Sequence, residues 1–178
     1  MTKQIGLLVF AVISLALLNN CGSFAQSKTK NQSGKGVLDT KQLNSLKLFL
    51  ENTSGIKAKD TMVIKYDFNG DPCWNALDKK DKSYIQRVIS GYQSRIKEKA
   101  NQRPGISIFQ FREAGQAQSA FKTESVDIMI DNGYLRSLLF KQRITCGSSA
   151  IILPGGQFIV TKYDPHFDAI NLRKLPKN

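Results

Sequence analysis

The chain has 178 residues, with 26 Lys and Arg against 14 Asp and Glu, for a formal charge of +12. That length suits one domain with a sizeable core. Only one long apolar run is present, Ile5 to Leu18, which excludes a protein of several membrane spans, since each span needs about 18 or more apolar residues.

Lys3, the run IGLLVFAVISLALL and then Ser23-Phe24-Ala25 have the order of a secretory signal peptide over residues 1–25, with cleavage before Gln26. A competing reading makes Cys21 a lipidated N-terminus, although Asn20 is larger than the residue such processing usually takes. Both readings put the mature chain outside the cytoplasm: periplasmic or secreted in the first, an anchored envelope lipoprotein in the second. Disulfides persist in either place. Residues 26–38 are polar, without apolar periodicity, and read as a flexible tether; the folded domain is expected over 39–174.

Asp39 or Thr40 can cap a first helix, whose apolar face carries Leu43, Leu46 and Leu50. Thr61 to Phe68, β-branched and aromatic, is the first clear strand. Asn69-Gly70 breaks it, Asp71 caps the next turn, and Pro72 suits a first helical position just before Cys73 and Trp74. A cysteine at the start of a helix meets unpaired N–H groups and the helix dipole, which favour a thiolate. From about Asp78 to Ala100, Ile85, Val88, Ile89, Tyr92 and Ile96 make a helical stripe, within which Gly91 suggests close helix–sheet contact.

Ile106 to Phe111 is a second strand, Val126 to Ile130 an ambiguous short one, and Tyr134 to Phe140 a short helix. Ser149 to Leu153 and Gln157 to Tyr163, joined by Pro154-Gly155-Gly156, form the clearest hairpin. Asp164 can cap a terminal helix. Strand, long helix, strand, helix, hairpin, helix is an α/β order, with a mixed sheet of roughly four to five strands flanked by helices.

Setting Cys21 aside leaves Cys73 and Cys146, which allow one intramolecular pairing or two free thiols. Other chemistry is poorly provided for. The chain lacks a Gly-x-Ser-x-Gly elbow and a phosphate-binding glycine loop. With His166 its single histidine, it also lacks metal-ligand spacing, so neither a cofactor nor a metal is expected. The basic residues, Lys79, Arg95, Lys97 and Arg143 among them, are scattered without a nucleic-acid motif. They predict no nucleic-acid partner and, at most, weak attraction to an anionic membrane surface.

The passage from Val63-Ile64-Lys65-Tyr66-Asp67-Phe68 through Asn69-Gly70-Asp71-Pro72 to Cys73, with the later hairpin and last helix, resembles a thioredoxin-like domain. The resemblance covers about Thr61 to Leu172. It implies a three-layer sandwich with a redox cysteine at Cys73. There is no CxxC, since Ala76 stands at the usual resolving position, and Ser148 stands where the family keeps its cis-proline. The same correspondence brings Cys146-Gly147-Ser148 over Cys73, so Cys146 would pair with it. The pair is then either an exchangeable couple or a structural staple of a non-catalytic module. As an exchange protein the chain would act on a protein or peptide thiol or disulfide, with Cys73 as nucleophile and Cys146 resolving. Pro72, Trp74, Gly147 and Ser148 would line the partner's path, and His166 would approach the thiolate. For Trp74, plain burial explains the residue equally well.

Overall fold

The computed structural model describes residues 33–115, 119, 121 and 127–171. The leader over 1–25, Cys21, the first part of the tether and the last residues of the expected domain lie outside them. Among the described residues no helix is long and apolar enough to cross a membrane.

Six strands form one mixed sheet in the order β1-β6-β5-β2-β3-β4. They are β1 (Ser33–Val37), β2 (Thr61–Asp67), β3 (Ile106–Glu113), β4 (Met129–Asp131), β5 (Ser148–Ile152) and β6 (Gln157–Lys162). β2 and β3, and β3 and β4, run parallel, whereas β5 is antiparallel to β2 and β6, and β1 is antiparallel to β6. The helices are α1 (Thr40–Ser54), α2 (Lys82–Asn101) and the short α3 (Tyr134–Leu138), with 3-10 turns at Asn75–Lys79 and Asp168–Asn171.

β2 is the middle of the molecule and is buried from Met62 onwards. Successive residues of a strand point to opposite faces. Ile64, Tyr66 and Phe68 therefore join Leu46 and Leu50 of α1, and Leu135 beside them, in one core. Val63 joins Ile85, Ile89, Tyr92 and Ile96 of α2 in the other, together with Ile106, Ile151 and Phe167. A strand covered on both faces needs apolar residues at consecutive positions, which is what the run Met-Val-Ile supplies.

The element ends follow local chemistry. Asp39 closes a capping box on α1, accepting from the Gln42 amide at 2.8 Å while Gln42 Oε1 accepts from the Asp39 amide at 3.0 Å. Gly55, at φ 69°, ends the helix with its N–H on the Glu51 carbonyl. Asp81 caps α2 by accepting from the Tyr84 amide at 2.8 Å.

Several expectations change. The stretch read as a tether ends in β1, which pairs with β6 from Ser33↔Thr161 to Val37↔Gln157. β1 brings the sheet to six strands, one more than the four to five expected, and the ambiguous short strand forms as β4 over Met129–Asp131. The long helix does not begin near Asp78, because Asp81 is a stronger start signal and residues 75–79 form a separate 3-10 turn. Gly91 is exposed, and a Cβ there would meet nothing within 4 Å, so it marks no close contact with the sheet. Among the described residues, the expected terminal helix is present as the 3-10 turn Asp168–Asn171.

Candidate functional site

The site forms where β2 ends and β5 begins, so residues far apart in sequence meet at one edge of the parallel strands. After β2 the chain turns at Asn69-Gly70, with Gly70 at φ 72°. The turn is gripped from the side. Glu113 Oε2 accepts from the Asn69 amide at 2.9 Å and from Arg143 Nη2 at 2.6 Å, and Arg143 also donates to the Asn69 carbonyl. Arg136 and Arg143 lie over the Phe68 ring at 5.3 and 5.5 Å.

Asp71 then folds its carboxylate back over the turn. It is 6% exposed, and its Oδ1 accepts from the Cys73 amide at 2.9 Å. Cys73 sits in this turn, upstream of the 3-10 turn Asn75–Lys79, and not at the N-terminus of the long helix. One 3-10 turn sums few peptide dipoles, so the expected helix dipole does not act on Cys73.

Cys146 enters β5 through two consecutive left-handed residues, Cys146 at φ 63° and Gly147 at φ 71°. Its sulfur is bonded to that of Cys73, with S–S 2.16 Å and Cα–Cα 4.8 Å. Both cysteines are half-buried.

Beneath the Cys146–Gly147 turn lies a buried ion pair. Lys65 Nζ is 3.1 Å from Asp67 Oδ1, with the side chains 2% and 6% exposed, and it donates to the Cys146 carbonyl at 3.3 Å. Gly147 is seated directly on this pair: a Cβ there would fall 2.3 Å from Lys65 Nζ and 2.4 Å from Asp67 Oδ1. Ser149, registered opposite Lys65, donates to Asp164 Oδ2 at 2.6 Å. Asp164 is buried, caps the last 3-10 turn by accepting from the Asp168 and Ala169 amides, and donates its own amide to the Gly147 carbonyl. Both sides of the Cys146 turn are thus tied to buried charges.

An aromatic group covers the opposite side. Trp74, at φ 75°, stacks on Phe121 with centroids 4.4 Å apart, and meets Tyr92 and His166 edge-on at 6.4 and 5.7 Å. Tyr92 is held protonated well above the ordinary tyrosine range, first by burial and then by the negative charge of Asp67.

The residues singled out from sequence divide between this rim and the floor. Pro72 and His166 are exposed, and Trp74 is half-buried beside His166. Gly147 and Ser148 are buried, and Ser148, the first residue of β5, is registered between Tyr66 and Lys162. Lys65, Asp67 and Ser149 were not singled out. Their signal was available as polar residues inside otherwise apolar strands, with Lys65 and Asp67 two apart and hence on one face.

Three donor atoms capable of holding a metal lie together here, from Asp71, Cys73 and Cys146, all within 4.8 Å of one another. In the oxidised state the two sulfurs are bonded to each other. No protein-family model, curated protein or solved structure matches the chain.

Proposed function

We propose that the chain is an exported, thioredoxin-like thiol–disulfide exchange protein whose redox couple is Cys73–Cys146. The strand sequence β3-β2-β5-β6, with one cysteine following β2 and the other preceding β5, supports the fold reading. Export rests on the leader-like residues 1–25 and accords with a disulfide in the mature part.

One observation carries the chemical reading. A disulfide between two half-buried cysteines sits on a buried Lys65–Asp67 pair whose ammonium reaches the Cys146 carbonyl. Buried ion pairs add little stability relative to packed apolar residues, and charged groups gathered beside a reactive bond are typical of functional sites. In this reading the Lys65 ammonium, held on the Cys146 main chain, favours a thiolate at Cys146 and makes it the better leaving group.

In the oxidised protein, a partner thiolate attacks Cys73 Sγ. The Cys73–Cys146 bond breaks, its electron pair stays on Cys146, and a mixed disulfide joins Cys73 to the partner. A second partner thiolate attacks the partner sulfur of that mixed disulfide. This releases reduced Cys73 and an oxidised partner, and two electrons pass from partner to protein. The reverse sequence uses Cys73 as nucleophile and Cys146 as the resolving thiolate. The exposed Pro72 and His166, with Trp74 beside them, offer the partner a contact rim, and a protein or peptide thiol fits this open site.

A dithiol-exchange assay tests the proposal. The parent turns over a peptide disulfide, Cys146→Ser stalls as a mixed disulfide through Cys73, and Cys73→Ser is inactive. A Cys73→Ser variant as active as the parent contradicts it. A second reading, a structural staple, draws on the left-handed Trp74 and Cys146, turns that a permanent crosslink would hold. It predicts a disulfide that does not exchange under native conditions.

A further inference from the structure

We infer that the reduced protein holds a thiophilic divalent cation, of the Zn²⁺ class, between the Cys73 and Cys146 thiolates and the Asp71 carboxylate. The inference rests on the exchange reading to the extent that the disulfide must open.

The three donor atoms lie within 4.8 Å of one another and come from two segments that the fold fixes independently. Asp71 is held by the Cys73 amide at 2.9 Å. Cys146 is held by the Lys65 contact to its carbonyl and by Gly147 pressed on Lys65 and Asp67. Opening the bond therefore frees two sulfurs without freeing the backbone that carries them. Two thiolates about 2.3 Å from a tetrahedral metal lie about 3.8 Å apart, a separation that side-chain rotation supplies.

Charge argues in the same direction. Reduction takes two electrons and two protons from a dithiol, which becomes a disulfide, and leaves two thiols beside a buried carboxylate. Metal binding displaces both thiol protons to solvent, and the three ligands then carry three negative charges. A divalent ion offsets two of those three charges. Two sulfur ligands select Zn²⁺ over Mg²⁺ or Ca²⁺, which prefer oxygen shells. Three protein ligands leave one position of a tetrahedron for water or a partner thiolate. Oxidation to the disulfide removes two ligands at once, so metal binding and the redox state exclude each other. Ligand spacing along the chain predicts no metal here, because the fold and not the spacing brings these ligands together.

The test is a Co²⁺ titration of the full chain after reduction by an immobilised phosphine, followed by thiol counting. The expected result is one Co²⁺ per reduced chain, with a sulfur-to-cobalt charge-transfer band. Zn²⁺ displaces it, and the oxidised chain shows no band. Asp71→Asn keeps two thiols and binds at least tenfold more weakly. If that variant fails to fold, Cys73→Ser serves, with the band reduced to that of one thiolate and a similar loss of affinity. Two countable thiols without a cobalt band overturn the metal site and leave the exchange reading standing. No thiols after native reduction overturn both. Asp71→Asn binding Co²⁺ as tightly as the parent overturns the three-ligand site.

Discussion

Lys65 carries its charge at 2% exposure, with Asp67 as its ion-pair partner and the Cys146 carbonyl as its second acceptor. Removing one member of such a pair leaves the other charge buried alone, at a cost of about 3–5 kcal/mol. Lys65→Met is therefore expected to destabilise the protein by that amount in urea unfolding, and Lys65→Met with Asp67→Leu to recover most of it. Tyr66 makes a separate, pH-dependent prediction. It is fully buried and donates to Asp131 Oδ2 at 2.9 Å, and burial followed by that hydrogen bond raises its pKa far above 10.0; burial raises Tyr92 likewise. A raised folded pKa favours the protonated form, so this stability is complete below about pH 10, the unfolded value, and is lost as pH rises above it. Of the five tyrosines, these two are expected to stay silent in an ultraviolet titration until the chain unfolds, the two events coinciding. A folded protein in which every tyrosine ionises near pH 10 would contradict this. Both cysteines were legible in sequence as candidates, and Asp71 and Asp164 as caps. The Lys65–Asp67 pair was not, because strand alternation says which residues share a face, whereas what covers the face depends on β5 and the Cys146 turn.

The elements show the same division. β2, the β5–β6 hairpin and α1 with its Asp39 cap are written locally, in β-branched runs, Pro-Gly-Gly and a capping box. β1 is not, since SGKGV has neither alternation nor strand propensity and becomes a strand through its pairing with β6. The broken start of α2 was also hidden, as apolar periodicity continues across the 3-10 turn and only Asp81 marks the true cap. Two elements make testable claims at the site. Asp164 joins β5 to the last 3-10 turn through Ser149 and two amides. Asp164→Ala loses a cap worth about 0.5–2 kcal/mol and strands a buried hydroxyl at about 1–3 kcal/mol more, a sum that thermal unfolding will register. Gly147 is left-handed and packed against the ion pair. Gly147→Ala is expected to destabilise the fold and to slow reoxidation of the cysteines, because the Cβ pushes the Cys146 turn off Lys65.

At the scale of the molecule, the disulfide joins segments separated by 73 residues, across the two halves of the sheet. Chain entropy puts the stabilisation from closing that loop at about 4 to 5 kcal/mol. Cys73→Ala with Cys146→Ala should lower urea stability by that order and leave the two cores intact, since neither cluster contains a cysteine. The reduced chain is thus expected to stay folded, as an exchange protein requires. The central claim is that this bond is an exchangeable couple standing on a buried charge pair. Its most direct test is the reduction potential of Cys73–Cys146, measured on the folded protein by equilibration with glutathione or dithiothreitol buffers. Exchange proteins fall between about −120 and −270 mV, and the account predicts a value in that range, shifted when Lys65 is replaced by Met. A value below about −300 mV, unmoved by that substitution, would mark a structural staple and contradict it.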